Sequence, residues 1–350
     1  MSYSSKKIPR IVYLFTGSRD TILSGVRAGE ATDMPLYGLN HIPSAEHLTI
    51  GASGGITKLV RALLVIPRLV QYDFVVAQDN VLLGYIVSVY ARIFRLKTRW
   101  LYLAMTSSVL MRRHAAHPIR LFLLKKFWAS YARIVCLSRG QLEDFVRLGI
   151  QREHLVFLPF GVDAHFFHPT DGTREEDLIV SIGRDAGRDY VTLFKAAERT
   201  HYKYIVVASH KNIPSGMPVP ANISVLYDRS YIELRNLYER ARLVVIASKD
   251  VHTVDGSDCS GQTIILDACA AGKAVIATYR SWITDYFIPD QDLVVVPPNN
   301  PRALAQAIDM LSHDAEKRKR LAASGHDKVV ARYTTKAFAD ALLALMNSIV

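Results

Sequence analysis

Short, almost continuously apolar runs recur along the chain, separated by stretches of helical period. Ile11–Phe15, Phe74–Ala77, Trp100–Ala104 and Ile134–Leu137 read as strands in the first half. Leu178–Ile182, Tyr204–Ala208, Val244–Ala247, Ala274–Ala277 and Leu293–Val296 do so in the second. Runs that do not alternate with polar residues fit parallel strands covered on both faces. Strand and helix in turn therefore predict the α/β class, with doubly wound, Rossmann-like sheets. The stretch LVFLPFGVDAHFFHPTDGTREED (155–177) carries Pro159, Gly161, Pro169 and Gly172 ahead of a charged run, which is a linker composition. It sets a boundary near residue 170, giving domains of 1–170 and 171–350, with helices from Pro301 to the end. Two such domains joined by a hinge would face a cleft, with ligands at the carboxyl ends of the strands.

CSGQTIILDACAAGKAVIAT (259–278) sharpens this picture. Ser260 or Thr263 is placed to cap a helix start, and Gly272 suits a left-handed stop before the next strand. The helix start offers backbone N–H groups to a phosphate or carboxylate, although a capped core helix reads the same way. A nicotinamide-binding enzyme would need a glycine fingerprint after a strand. IGASGGITKLV (Ile50–Val60) has strand-loop-helix outline, but its glycines at 51, 54 and 55 miss the G-x-G-x-x-G spacing. No Walker lysine motif occurs.

Of the 350 residues, 50% are hydrophobic and 21% charged, which excludes a disordered chain. Charge is unevenly spread. Residues 1–160 hold 21 Lys and Arg against 9 Asp and Glu, an excess of 12, while the remainder holds 22 against 23, completing the whole-chain +11. Basic residues beside Leu, Phe, Trp and Tyr over Lys58–Arg139 suit an anionic membrane surface, although a merely solvated basic face reads the same way, and no nucleic-acid module is recognisable. The longest apolar run, Val81–Tyr90, is closed by Arg92 and Arg95 too early to span a bilayer, and MSYSSKKIPRIVYLF lacks the apolar length of a signal peptide. Cys136, Cys259 and Cys269 show neither a pairing pattern nor metal spacing, consistent with a reducing cytoplasm.

LIVSIGRDAGRDYVTLFKAAE (178–198), NISVLYDRSYIELRNLYERARLVVIAS (222–248) and the 259–278 stretch follow in the order of a known pattern. Together they resemble the nucleotide-sugar domain of the family 4 retaining glycosyltransferases, which have the two-domain GT-B fold. VCLSRGQLEDFVRLGIQREHLVFLPFGVDAHFFHP (135–169) is similar to that family's segment leading into the hinge, and the resemblance covers about 135–335.

The resemblance implies specific roles. Arg184, after Gly183, holds the donor diphosphate, and Arg188 lies one residue ahead of the family's usual lysine. Two such cations stabilise the charge that develops as the sugar leaves. Asp267 matches the acid that binds the donor ribose. Cys259 stands where the family has a first acid, a departure that leaves the adjacent Asp258 to serve the sugar hydroxyls. Ser260, Gly261, Gln262 and Thr263 form the helix start that meets the diphosphate or sugar. Tyr227 and Asp228 lie in the loop that packs on the base, and Thr16 and Gly17 end the first strand near donor and acceptor. The long polar segment 249–258 reads either as a loop in which His252 and Asp255 bear on the choice of sugar or as a plain surface loop. Thr106 stands where many relatives keep a histidine, and His114 and His117 receive no catalytic role. Asp290-Gln291-Asp292 resembles the metal-binding pair of another glycosyltransferase fold but reads here as a turn. With no His/Cys cluster, the implied chemistry is metal-independent and retaining, needing no cofactor beyond the nucleotide-sugar co-substrate. The expected acceptor is a lipid-linked molecule or saccharide, and the expected location is peripheral, on the cytoplasmic face of the cell membrane. A GT-B epimerase and a non-catalytic nucleotide-sugar binder are the rival readings.

Overall fold

The computed structural model describes residues 9–50, 60, 64–65, 67–78, 97–170, 172, 175–213, 216–250 and 257–349. Contacts divide the chain into two compact units. The first comprises Met1–Ser24, Leu36–Leu158 and Ala339–Val350, and the second Gly25–Pro35 and Pro159–Phe338. The division falls after Leu158 instead of near residue 170, because the linker-like stretch that follows packs with the second unit. Val162, for example, bridges to Thr334.

The first unit holds β1 (Ile11–Phe15), β2 (Ala45–Thr49), β3 (Phe74–Gln78), β4 (Arg99–Ala104), β5 (Arg133–Cys136) and β6 (Leu155–Phe157). They form one sheet in the order β2-β1-β3-β4-β5-β6, parallel throughout. Every residue of β1 is buried, as a central parallel strand requires. Its helices are α1 (Asp20–Arg27), whose residues from Gly25 count with the second unit, α2 (Ser107–His114), α3 (Pro118–Trp128) and α4 (Arg139–Leu148). Ser138 caps α4 by accepting from the Gln141 N–H, and Gly149 at φ 85° ends it in the left-handed region. The buried Gln141 side chain donates to the Ala104 carbonyl at 2.8 Å and accepts from the Leu137 N–H at 2.8 Å, tying the carboxyl ends of β4 and β5 together. The inner face of α3 anchors the core. Trp128 meets Phe145 edge-on at 5.0 Å, and Phe127 meets Tyr131 at 5.1 Å. Burying each large ring contributes about 2–3 kcal/mol.

The second unit holds β7 (Leu178–Ile182), β8 (Lys203–Ala208), β9 (Ile223–Tyr227), β10 (Leu243–Ile246), β11 (Val275–Thr278) and β12 (Val294–Val296). Their order is β12-β11-β10-β7-β8-β9, again all parallel. The helices are α5 (Tyr190–Ala197), α6 (Tyr231–Arg240), α7 (Gln262–Ala270), α8 (Ile283–Tyr286), α9 (Pro301–His313), α10 (Ala315–Arg332) and α11 (Thr335–Ser348), whose last residues count with the first unit. Asp189 caps α5, and a Ser230/Glu233 capping box opens α6.

Two local expectations change. Neither Ser260 nor Thr263 caps α7; Gly261 occupies the N-cap at φ 90°, and no side chain accepts there. The Ser260 side chain is instead buried against the loop after β7, beside Gly187. Gly272 does end the helix in the left-handed region, with the Lys273 N–H donating to the Ala268 carbonyl. Residues 290–292 form a turn in which the Asp292 carboxylate accepts from the Ile288 N–H, Ser324 and Lys328. Among the described residues no helix is long and apolar enough to cross a membrane, and no group of three His, Cys, Asp or Glu is placed to hold a metal ion. Val81–Tyr90, the glycines of the 50–60 loop, His252 and Asp255 lie outside the described residues.

Candidate functional site

In the second sheet the chain runs outward from β7 through β8 to β9, then returns and runs the other way from β10 to β12. The order reverses between β7 and β10, so the loops after these two strands diverge and leave a crevice at their carboxyl ends. Here the loops are pinned to each other. The Asp189 N–H donates to the Ala247 carbonyl at 3.0 Å, the Lys249 N–H to the Gly187 carbonyl at 2.8 Å, and Arg188 bridges to Ser248.

Arg188 is the central feature of this crevice. It is 4% exposed, and its Nη2 donates to the Ile182 carbonyl at 2.9 Å. Its Nε and Nη1 are buried and have no hydrogen-bond partner. A Cβ on Gly183 would overlap Nε, and one on Gly261 would lie 3.0 Å from Nη1. Glycine at both positions therefore makes room for the guanidinium. Burial pushes Arg188 below its ordinary range, against the opposing influence of Tyr190, Asp185 and Tyr238. A guanidinium stays protonated at any accessible pH, so the burial appears as an unmet demand for an anion.

Asp185 organises the wall opposite. Its Oδ1 accepts from the Gly187 N–H at 2.8 Å, and its Oδ2 from the Ser257 N–H at 2.9 Å. Burial would raise its pKa, but the Ser260 hydroxyl, these two N–H groups and the Arg188 charge together hold it below the ordinary value. Gly187 fits because a Cβ there would meet Asp185 Oδ1 at 2.7 Å and Ser260 Oγ at 2.9 Å. Beyond them α7 begins with an uncapped first turn, so backbone donors and the positive helix end border the same crevice as Arg188.

Other predicted residues take varied places. Arg184 is exposed at the end of β7, next to Gly183. Asp258 is half-buried, and its carbonyl accepts from Arg280 at 3.1 Å. Gln262 is buried at the first position of α7, and Thr263 follows it half-buried. Asp267 is buried on the same helix with no partner for Oδ1. Burial, and then the charge of Asp163, push its carboxyl well above the ordinary range. Tyr227 ends β9 and stacks on His210 at 3.9 Å between ring centroids, with Asp228 exposed beside it at φ 51°. Thr16 and Gly17 directly follow β1 in the first unit, where Arg19 lies over the Phe15 ring at 4.4 Å.

Sequence reasoning missed Asp185, His210 and Arg280. Arg280 is 3% exposed and donates to the carbonyls of Lys249, Ser257 and Asp258, gripping both ends of the 249–258 loop. Nothing in its sequence surroundings marks it. Asp185 was legible in principle, since an Asp two residues ahead of a glycine in a loop is a turn signal.

The family described as glycosyl transferase-like matches residues 188–344. The lipopolysaccharide core biosynthesis glycosyltransferase LpsE of Rhizobium meliloti is 31% identical over 104 residues, a stretch that spans 29% of this chain and 30% of that protein. Among solved structures, HepE of Anabaena in complex with UDP and glucose superposes with a TM-score of 0.72 at 14% identity, covering 97% of this chain and 100% of HepE. Sucrose-phosphate synthase of Thermosynechococcus elongatus gives a TM-score of 0.72 at 16% identity, over 97% and 99% of the two chains. The chain thus has the GT-B fold of these structures, and its residues 188–344 match the glycosyl transferase-like family.

Proposed function

We propose that the protein is a retaining glycosyltransferase that moves a sugar from a nucleoside-diphosphate sugar to a lipid-linked or saccharide acceptor at a membrane surface. The observation that carries this reading is Arg188, a buried cation with two unused donors beside the uncapped start of α7. A diphosphate supplies what that arrangement lacks, and Arg184 adds a second, exposed cation next to it. HepE, of like fold, was crystallised with UDP and glucose, and LpsE is named for lipopolysaccharide core biosynthesis. Both support a nucleotide-sugar donor and an acceptor of the cell envelope.

In the proposed reaction the bond from the anomeric carbon to the diphosphate oxygen breaks, and a bond to the acceptor oxygen forms on the same face. The acceptor proton passes to the departing phosphate. Arg184, Arg188 and the α7 N-terminus hold the charge that builds on the leaving diphosphate. Arg184, Arg188 and the α7 N-terminus supply the charge that a divalent ion provides elsewhere, so the transfer proceeds without metal. Asp267, through its unpartnered Oδ1, takes the donor ribose; Tyr227, Asp228 and the stacked His210 flank the base; Asp258 serves the sugar. Thr16 and Gly17 line the acceptor side. The enzyme works at the cytoplasmic face of the membrane, where its three cysteines stay reduced.

Substitution of the two arginines tests this directly. Arg188→Ala and Arg184→Ala should each lose about 2–4 kcal/mol of transition-state stabilisation while the fold persists, seen as a fall in sugar transfer from UDP-sugars by a circular-dichroism-normal protein. Near-normal turnover by Arg188→Ala would remove the basis for the assignment.

A further inference from the structure

Helix α3, PIRLFLLKKFW, has apolar residues all round its circumference. A helix of that kind is ordinarily buried on every side. This one is covered on one face only: Leu124, Phe127 and Trp128 enter the core of the first unit. The opposite face leaves Ile119 at 76%, Phe122 at 56% and Leu123 at 49% exposure. They stand at i, i+3 and i+4 and continue to Lys126, whose ammonium lies 5.5 Å over the Phe122 ring. Among the described residues nothing covers this apolar stripe.

Its electrostatic setting is one-sided. No Asp or Glu occurs in the sequence between Asp79 and Glu143, so nothing on α2 or α3 offsets the basic side chains there. Arg120 and Lys126 are exposed on α3 and Arg113 in the last turn of α2, whereas Lys125 folds back against Gly149. Three classes of partner are conceivable for an apolar stripe. A second copy of the chain would bring like charges together across a two-fold contact. Nucleic acid would engage the cations, but the two aliphatic side chains offer it no stacking face. An anionic bilayer satisfies both halves of the pattern, since basic groups meet lipid headgroups while Ile, Phe and Leu enter the acyl boundary.

We infer that α3 is a monotopic membrane wedge, which inserts Ile119, Phe122 and Leu123 below the headgroups of an anionic bilayer, with Arg113, Arg120 and Lys126 on the phosphates above. This rests on the proposed function only for its purpose, to hold the acceptor-side unit at a surface carrying lipid-linked acceptor. It goes further than charge attraction, because insertion predicts binding that salt alone does not abolish.

The experiment uses the full chain with phosphatidylcholine vesicles, with and without phosphatidylglycerol, and no donor. The wild type should sediment with the phosphatidylglycerol vesicles and retain part of its binding in about 1 M salt, where the Debye length is roughly 3 Å. Ile119→Ser/Phe122→Ser/Leu123→Ser should keep its unfolding midpoint, bind about a hundredfold more weakly, and lose all that remains in salt. Arg113→Glu/Arg120→Glu/Lys126→Glu should lose the preference for phosphatidylglycerol. In Phe122→Trp the emission of the added indole should shift blue and be quenched by brominated acyl chains. The inference is overturned if the triple serine variant binds like the wild type, or if the added indole is not quenched. It is equally overturned if a duplex oligonucleotide displaces the vesicles through the same stripe, or if the stripe drives dimerisation without vesicle binding. None of these readouts involves Arg188, so the wedge and the donor site fail independently.

Discussion

The two units use positive charge in opposite ways. In the second unit one guanidinium, Arg188, is enclosed at the strand switch point with Nε and Nη1 unmet. In the first unit Arg113, Arg120 and Lys126 stand in solvent on α2 and α3, the latter carrying an apolar stripe. A buried cation is costly, is fixed in direction, and answers to one anion in one geometry. Exposed cations cost little, adapt, and answer to any anionic surface with strong dependence on salt. On the proposed reading, the contrast separates recognition of a small donor from attachment to an extended surface. It also explains why overall charge, which is concentrated in the first unit, says nothing about where the donor site lies.

The comparison breaks most sharply if room for the buried guanidinium is removed without touching its charge. Gly183→Ala places a methyl group where Arg188 Nε lies, so the side chain must leave its position. Turnover should fall by about 2 kcal/mol of transition-state stabilisation, close to the loss in Arg188→Ala, while vesicle binding is unchanged. Unaltered turnover would mean that the guanidinium works from elsewhere.

A smaller effect sharpens the picture inside the second unit. Burial, followed by the Asp163 charge, raises the Asp267 carboxyl. Its folded pKa lies above its unfolded value of about 3.9, so the native state binds the proton more tightly. Its contribution to stability is present below about pH 4 and is lost as pH rises through the folded value. Asp267→Asn, a neutral isostere, should flatten that loss and melt higher than the wild type at neutral pH. It should also bind UDP about tenfold more weakly with little change in the turnover of the bound complex, as expected for a ribose contact made equally in ground and transition states. Unchanged UDP affinity would leave Asp267 a residue of the core alone.

How much was legible in the sequence follows from where each element lies in its sheet. The inner strands β1, β3, β4, β5, β7, β8, β10 and β11 are buried apolar runs, and each was readable to within one residue of its observed limits. The strands that went unread, β2, β6 and β9, are all sheet edges. AEHLT in β2 is nowhere fully buried, β6 is only Leu-Val-Phe, and β9 carries an exposed Ser224, so none presents a continuous apolar run. The start of α7 misled for a different reason. Ser260 has the chemistry of a cap, but tertiary packing turns it towards the loop after β7 and leaves the N-cap to Gly261. The crevice was legible through Gly183, Arg188 and the 259–278 stretch. The residues that hold it in shape, Asp185 and Arg280, act through backbone partners far away in sequence, and no local pattern records such partners.

The central claim is that Arg188 is present for a diphosphate and not for the fold. Replacing it with methionine keeps much of its volume and removes an unpaired buried charge. Thermal unfolding of the wild type and Arg188→Met, each with and without UDP, measures both consequences together. The account predicts that Arg188→Met alone unfolds about 2–4 °C higher than the wild type, and that UDP raises the wild-type midpoint but not that of the variant. A variant that unfolds lower than the wild type, or one that UDP still stabilises to the wild-type extent, would contradict it.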